Sequence, residues 1–152
     1  MTDSIILSAD PARIDVAQVH RWLADTYWSP GIARAQVERA IAGSRVIGAY
    51  RDDDRQVGGV QVGFARLITD GATFGWLADV IVDPDWRGAG IGRRMVEGLL
   101  AAPDLADIRR VMLNTRDAHG VYAGLGFHPL VRADRYMERL APGLADQLRT
   151  AP

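Results

Sequence analysis

Residues 80–100 read VIVDPDWRGAGIGRRMVEGLL. An apolar, β-branched run from Val80 to Val82 meets Asp83-Pro84. Three glycines follow at every second position, Gly88, Gly90 and Gly92, and a helix-forming stretch begins there. Glycine loses more backbone freedom on folding than any other residue, so clustering it at a helix start implies a demand on the main chain. Unobstructed N–H groups at a helix N-terminus converge on an anion, and the positive end of the helix favours it. The turn therefore suits a phosphate. A P-loop is excluded because it needs a lysine, and all 18 basic residues of this chain are arginine. A dinucleotide fingerprint fails as well. Counting from Gly88, its third glycine falls on Arg93, and the following strand, RRVMLNT, ends without the acidic residue that would hold a ribose.

Composition sets the outer bounds. A chain of 152 residues with 48% hydrophobic and 24% charged residues is expected to form one domain, 1–152, with a sizeable core. The absence of cysteine excludes disulfides, thiolate metal sites and a cysteine nucleophile, and the absence of lysine excludes a Schiff base. His20, His119 and His128 show no metal-ligand spacing, so no metal is expected. A net charge of −1 gives no reason to expect nucleic acid or an anionic membrane as partner. The first ten residues, MTDSIILSAD, lack the basic and long apolar regions of a signal peptide, which points to a cytoplasmic protein.

Outward from the glycine turn, the pattern alternates between strands and helices. SIIL reads as a strand, and Val16–Trp28 as a helix with Asp15 as N-cap and Val16, Val19, His20, Leu23 and Tyr27 on one face. After Ser29-Pro30-Gly31 comes a second helix, with Val37, Ala40 and Ile41 on one face, ending at Gly43. Arg45–Tyr50, Val60–Thr69 and Thr73–Val82 read as strands, joined by the polar turns RDDDR and Asp70-Gly71. Residues 90–101 are helical, 110–115 a strand and 118–125 a short helix. FHPLV and RYMERL read as a closing pair of strands, and the tail from Pro142 as a loose helix. This order predicts an α/β chain with an antiparallel centre and one glycine-rich crossover.

Arg87-Gly88-Ala89-Gly90-Ile91-Gly92 resembles the Arg/Gln-x-x-Gly-x-Gly/Ala loop of the GCN5-related N-acetyltransferase (GNAT) superfamily. The likeness extends to Val80–Pro84 before it and to Tyr122-Ala123-Gly124-Leu125-Gly126-Phe127 after it. Where the family has Asn-x-x-Ala, this chain has Thr115 ahead of Ala118, with Asn114 one place early. Tyr27–Gly31, Phe64-Ala65-Arg66 and Thr115–Gly120 are similar to segments of a group of small, uncharacterised members. The resemblance implies a mixed, mostly antiparallel sheet of six to seven strands, with strands 4 and 5 splayed, flanked by about four helices.

It also implies acetyl-CoA between the splayed strands. Main-chain groups of Val80, Ile81 and Val82 would hold the pantetheine and aim an N–H at the thioester, and the Arg87–Gly92 loop would hold the diphosphate. Arg93 would add charge at the rim, and Asn114 would contact the cofactor. Tyr122 is the expected acid for the departing sulfur, with a packed aromatic as its bland alternative. Asp79, a carboxylate among apolar neighbours, is the expected base, since burial would raise its pKa; the alternative is an ion pair with Arg66. Asp117 and His119 are further candidates. Tyr27, Trp28 and Trp76 would wall the acceptor pocket, where aromatic faces favour a cationic amine. The expected activity is direct N-acetylation of a small-molecule or peptide amine, with a non-catalytic acyl-CoA sensor as the alternative. The resemblance also allows a homodimer.

Overall fold

The structure is a computed structural model that describes residues 4–151; Met1–Asp3, part of the stretch inspected for a signal peptide, and Pro152 lie outside it. Five strands form one sheet in the order β1 (Ile5–Ser8), β2 (Arg45–Arg51), β3 (Val60–Thr69), β4 (Phe74–Val82) and β5 (Arg110–Met112). The first three pairings are antiparallel and β4–β5 is parallel. The β2–β3 turn carries Asp52–Asp54, where Asp53 pairs with Arg51 at 3.4 Å in the solvated hairpin expected of it.

Helices cover both faces. α1 (Val16–Ala24) is capped by Asp15, whose carboxylate accepts from the Gln18 N–H at 3.0 Å. With α2 (Arg34–Ala42) it buries Val19, Trp22, Leu23 and Val37 against Val46, Phe64 and Ile81. α3 (Ile91–Leu100) packs Met95, Val96 and Leu99 against Ile47, Val62, Leu67 and Leu77 on the opposite face. The alternation of side chains along β2–β4 supplies both cores at once. α4 (His119–Ala123) and α5 (Leu144–Thr150) follow β5.

Two expectations change here. Among the described residues the sheet has five strands, not six to seven, because neither FHPLV nor RYMERL pairs. Pro129 has no N–H for a ladder, a 3-10 turn at Ala133–Arg135 takes the first residue of RYMERL, and β5 offers only three residues as an edge. The outer edge of β5 therefore borders a cleft of about 780 Å³, lined by Arg110, Met112, Phe127 and Tyr136 among others. The first helix also ends early, at Ala24 rather than Trp28. The Thr26 hydroxyl donates to Leu23 O at 2.7 Å and the Gly31 N–H to Ala24 O at 3.0 Å, which turns Tyr27 and Trp28 out into a loop.

Candidate cofactor and acceptor site

β4 and β5 part company. They are in register at Phe74↔Arg110, Gly75↔Val111 and Trp76↔Met112, after which β4 runs on to Val82 without its neighbour. Trp76 thus stands at the apex of the split, half-buried, on the sheet face opposite Leu77. Within the freed part of β4 the ladder to β3 slips: Arg66 faces Ala78 and Phe64 faces Ile81, so Asp79 and Val80 oppose the single residue Ala65. This is a β-bulge. Asp79 adopts φ 53°, the one non-glycine positive φ among the described residues.

At the far end of β4, Asp83 caps a 3-10 turn at Pro84–Trp86 and the Arg87 side chain donates back to Val82 O at 3.0 Å. Gly88 and Gly90 then take φ 85° and 77°, where a β-carbon is strained. A Cβ placed on either would meet no atom within 4 Å, so these glycines serve the backbone path and face open space. Gly92 lies over Val80 and Val82, and its Cβ would sit 3.6 Å from the Val82 side chain. Gly90 caps α3 with no side-chain acceptor, and among the described residues no protein group accepts from the N–H of Ile91, Gly92 or Arg93. The turn that leads into them, Arg87–Gly90 with Ala89 at its middle, is exposed. An anion such as a diphosphate fits them, since an uncapped helix start presents converging donors. Arg93 is already tied to Gly124 O at 3.1 Å and to Glu97 at 3.2 Å, so it braces α4 against α3 from beside the turn.

On the opposite side of the split, Tyr122 projects from α4, half-buried, with its ring edge-on to Phe127 at 5.9 Å. Burial, and secondarily the phenol of Tyr27, push its hydroxyl above the ordinary value of 10.0. Tyr27 reaches this place from the α1–α2 loop. Its oxygen accepts from the Arg116 N–H at 3.1 Å, and the Arg116 guanidinium lies 3.8 Å over its ring. Trp28 packs edge-on to Tyr27 at 5.0 Å and donates its indole N–H to Asp79 at 2.9 Å.

The site residues expected from sequence therefore fall into three groups. Tyr27, Trp28, Asp79 and Tyr122 converge at the opening of the split, Val80–Val82 run along it, and Arg87–Gly92 follow at the far end of β4. Asp117, paired with Arg116 at 3.3 Å, and His119, the first residue of α4, are exposed beside it. Asn114 is exposed, and among the described residues no hydrogen bond holds its side chain; the Thr115 hydroxyl instead accepts the Ala118 N–H at 3.1 Å at the start of α4. One expectation about Asp79 is corrected. Its surroundings are not apolar: Arg66 meets one carboxylate oxygen at 2.6 Å and Trp28 the other at 2.9 Å. Arg116, inside the Thr115–Gly120 segment, had no role legible from sequence, because its partner Tyr27 lies 89 residues away.

The acetyltransferase (GNAT) domain profile matches residues 42–129, which hold β2 through α4. A Gibberella zeae protein provisionally named an acetyltransferase is 33% identical over 127 residues, covering 74% of this chain and 72% of that one. A Xanthomonas campestris crystal structure, provisionally assigned to the GNAT acetyltransferases, superposes with a TM-score of 0.83 at 42% identity, over 93% of this chain and 96% of that one. A Clostridium acetobutylicum protein described as a predicted acetyltransferase and crystallised with acetyl-CoA has the same fold, with a TM-score of 0.65 at 19% identity over 90% and 96% of the two chains. With the split between β4 and β5 and the open glycine turn at its end, these likenesses make the chain a member of the GNAT family of acetyltransferases.

Proposed function

We propose that this enzyme is a single-domain, acetyl-CoA-dependent N-acetyltransferase that moves the acetyl group directly to a primary amine of a small molecule or peptide. The observation that carries this is the row of N–H groups at Ile91–Arg93 that find no acceptor among the described residues, set behind glycines with open space before them, at one end of the β4–β5 split. The Arg87–Gly92 turn would hold the diphosphate, and the main chain of Val80–Val82 the pantetheine. Bound acetyl-CoA supplies the activated acyl group. No metal is invoked.

In direct transfer the amine nitrogen bonds to the acetyl carbon, the carbon–sulfur bond breaks, the amine gives up a proton and the thiolate takes one. The absence of cysteine supports transfer without an acetyl-cysteine. Fixed N–H dipoles of the β4 bulge suit the charge that builds on the acyl oxygen. We assign proton donation to Tyr122, whose phenol stays protonated at neutral pH. Asp79, with both oxygens engaged, suits the part of an anchor better than that of a base. His119 precedes Tyr122 by three residues on α4, so the two side chains share a helix face, and we assign it the amine proton. Asp117 lies beside it. Tyr27 and Trp76 would flank the acceptor. We assign the enzyme to the cytoplasm, beside its acyl donor. The open β5 edge and the exposed Leu130, Val131 and Met137 are the face through which two copies would associate.

The test is thiol release from acetyl-CoA across a panel of amino acids, polyamines, aminoglycosides and peptide N-termini. Release with any amine above the acceptor-free rate supports transfer. CoA binding with no release from any amine supports a sensor instead.

A further inference from the structure

A non-glycine residue at positive φ is strained, and it persists only where its surroundings hold it. Asp79 is such a residue, at φ 53°, and what holds it is visible. Its carboxylate takes Arg66 Nε on one oxygen at 2.6 Å and Trp28 Nε1 on the other at 2.9 Å. Arg66 in turn donates to Ser44 Oγ at 3.1 Å, and Ser44 to Ala40 O of α2 at 2.6 Å. The Arg66 and Asp79 side chains are only 15% and 8% exposed, so solvent competes little for this pair. Trp28 itself is 43% exposed. Its ring is not needed to fill a core, while its single polar atom is spent on Asp79. From the other side Tyr27 abuts Trp28, and Arg116, from the loop after β5, covers Tyr27. The α1–α2 loop is thereby fastened to β4 and to the loop after β5.

From this we infer that Trp28 is a positioning residue: through Asp79 it locks the β4 bulge, and with it the path of the main chain from Val80 to Val82. The consequence for turnover rests on the acetyl-transfer reading; the consequence for the bulge does not. An alternative part for Trp28, as a wall of the acceptor pocket, would act on acceptor binding and leave the bulge alone.

The experiment compares the wild type with Trp28→Phe, which keeps an aromatic ring and loses the N–H, and with Asp79→Asn and the double variant. Amide hydrogen exchange at Ala78 and Ile81, the rungs flanking the bulge, is measured without ligand. It should quicken about tenfold or more in Trp28→Phe if the indole bond holds this segment closed. In steady-state assays kcat should fall about tenfold, with acceptor KM and CoA affinity changed less than about threefold, the mark of a loss confined to the transition state. The double variant should be no worse than Asp79→Asn, because both changes cut one chain. Unchanged exchange in Trp28→Phe overturns the inference whatever the activity. A raised acceptor KM at constant kcat overturns it in favour of a pocket wall. Should the wild type bind no CoA, the acetyl-transfer reading fails, and the exchange data still decide the bulge. Trp28→Phe is the informative variant if Asp79→Asn, which leaves Arg66 without its counter-charge, does not fold.

Discussion

Tyr27 and Arg116 meet across the mouth of the β4–β5 split. The Arg116 guanidinium carbon lies 3.8 Å from the Tyr27 ring centre, and the Arg116 N–H reaches the Tyr27 oxygen at 3.1 Å. One contact is a cation on an aromatic face and the other a neutral hydrogen bond, so two substitutions separate them. Tyr27→Phe removes the hydrogen bond alone, about 1 kcal/mol, and should raise acceptor KM about fivefold. Tyr27→Ala also removes the cation–π contact, about 0.5–1 kcal/mol at an exposed place, and should raise it about 10- to 30-fold. Initial rates at saturating acetyl-CoA measure both. Equal values for wild type and Tyr27→Ala would remove Tyr27 from the acceptor side.

Tyr122 is predicted to act in its protonated form. Its hydroxyl is pushed above 10.0, chiefly by burial, so raising the pH through the neutral range leaves the donor intact. Tyr122→Phe should lower kcat by about a hundredfold or less, within the usual span of acid–base catalysis. The loss should be uniform from about pH 6 to about pH 9, since phenol ionisation lies above that window. A deficit that vanishes on going from pH 6 to pH 9 would mean that another group donates the proton.

How far these residues could be read from sequence depends on how local each cause is. The glycine turn was legible because its cause sits in five adjacent residues: positive φ at Gly88 and Gly90 is a local requirement. The split itself came through the family resemblance. The fate of FHPLV and RYMERL was not legible. Their alternation resembles strands, yet Pro129 and the Arg132–Asp134 ion pair, with its bonds of 2.8 and 2.5 Å, shape the chain there more strongly than periodicity does. Nor could periodicity reveal that Tyr27 leaves the face of α1, because one Thr26 hydroxyl bond to Leu23 ends the helix. The strained Asp79 was invisible for another reason. Its φ follows from a register slip and from Trp28, 51 residues distant.

Gly48 offers a test of packing between sheet and loop. A Cβ there would fall 2.7 Å from Cζ of Tyr50, which is 4% exposed and whose hydroxyl donates to Arg13 O at 2.9 Å. The ring has nowhere to retreat without breaking that bond. Gly48→Ala should destabilise the protein by about 1–3 kcal/mol, as overpacked cores do. Urea unfolding reads this directly, and a midpoint equal to wild type would show that Tyr50 moves freely.

Gly90 separates backbone strain from ligand binding. Its φ of 77° disfavours any β-carbon, at a cost of about 1–2 kcal/mol, while no atom within 4 Å would collide with one. Gly90→Ala should therefore fold with that modest loss of stability and bind CoA markedly more weakly, because the methyl group projects into the open turn. Thermal unfolding and CoA titration, run side by side, check the two halves separately. Weakened stability with unaltered CoA affinity would place the diphosphate elsewhere.

We propose that the N–H groups of Ile91, Gly92 and Arg93 receive the diphosphate of coenzyme A. A crystal structure of the protein soaked with millimolar CoA measures this most directly. Diphosphate oxygens should lie within hydrogen-bond distance of those three nitrogens, with the pantetheine running along Val80–Val82. Crystals that stay empty, or CoA whose diphosphate lies away from the turn, would contradict it.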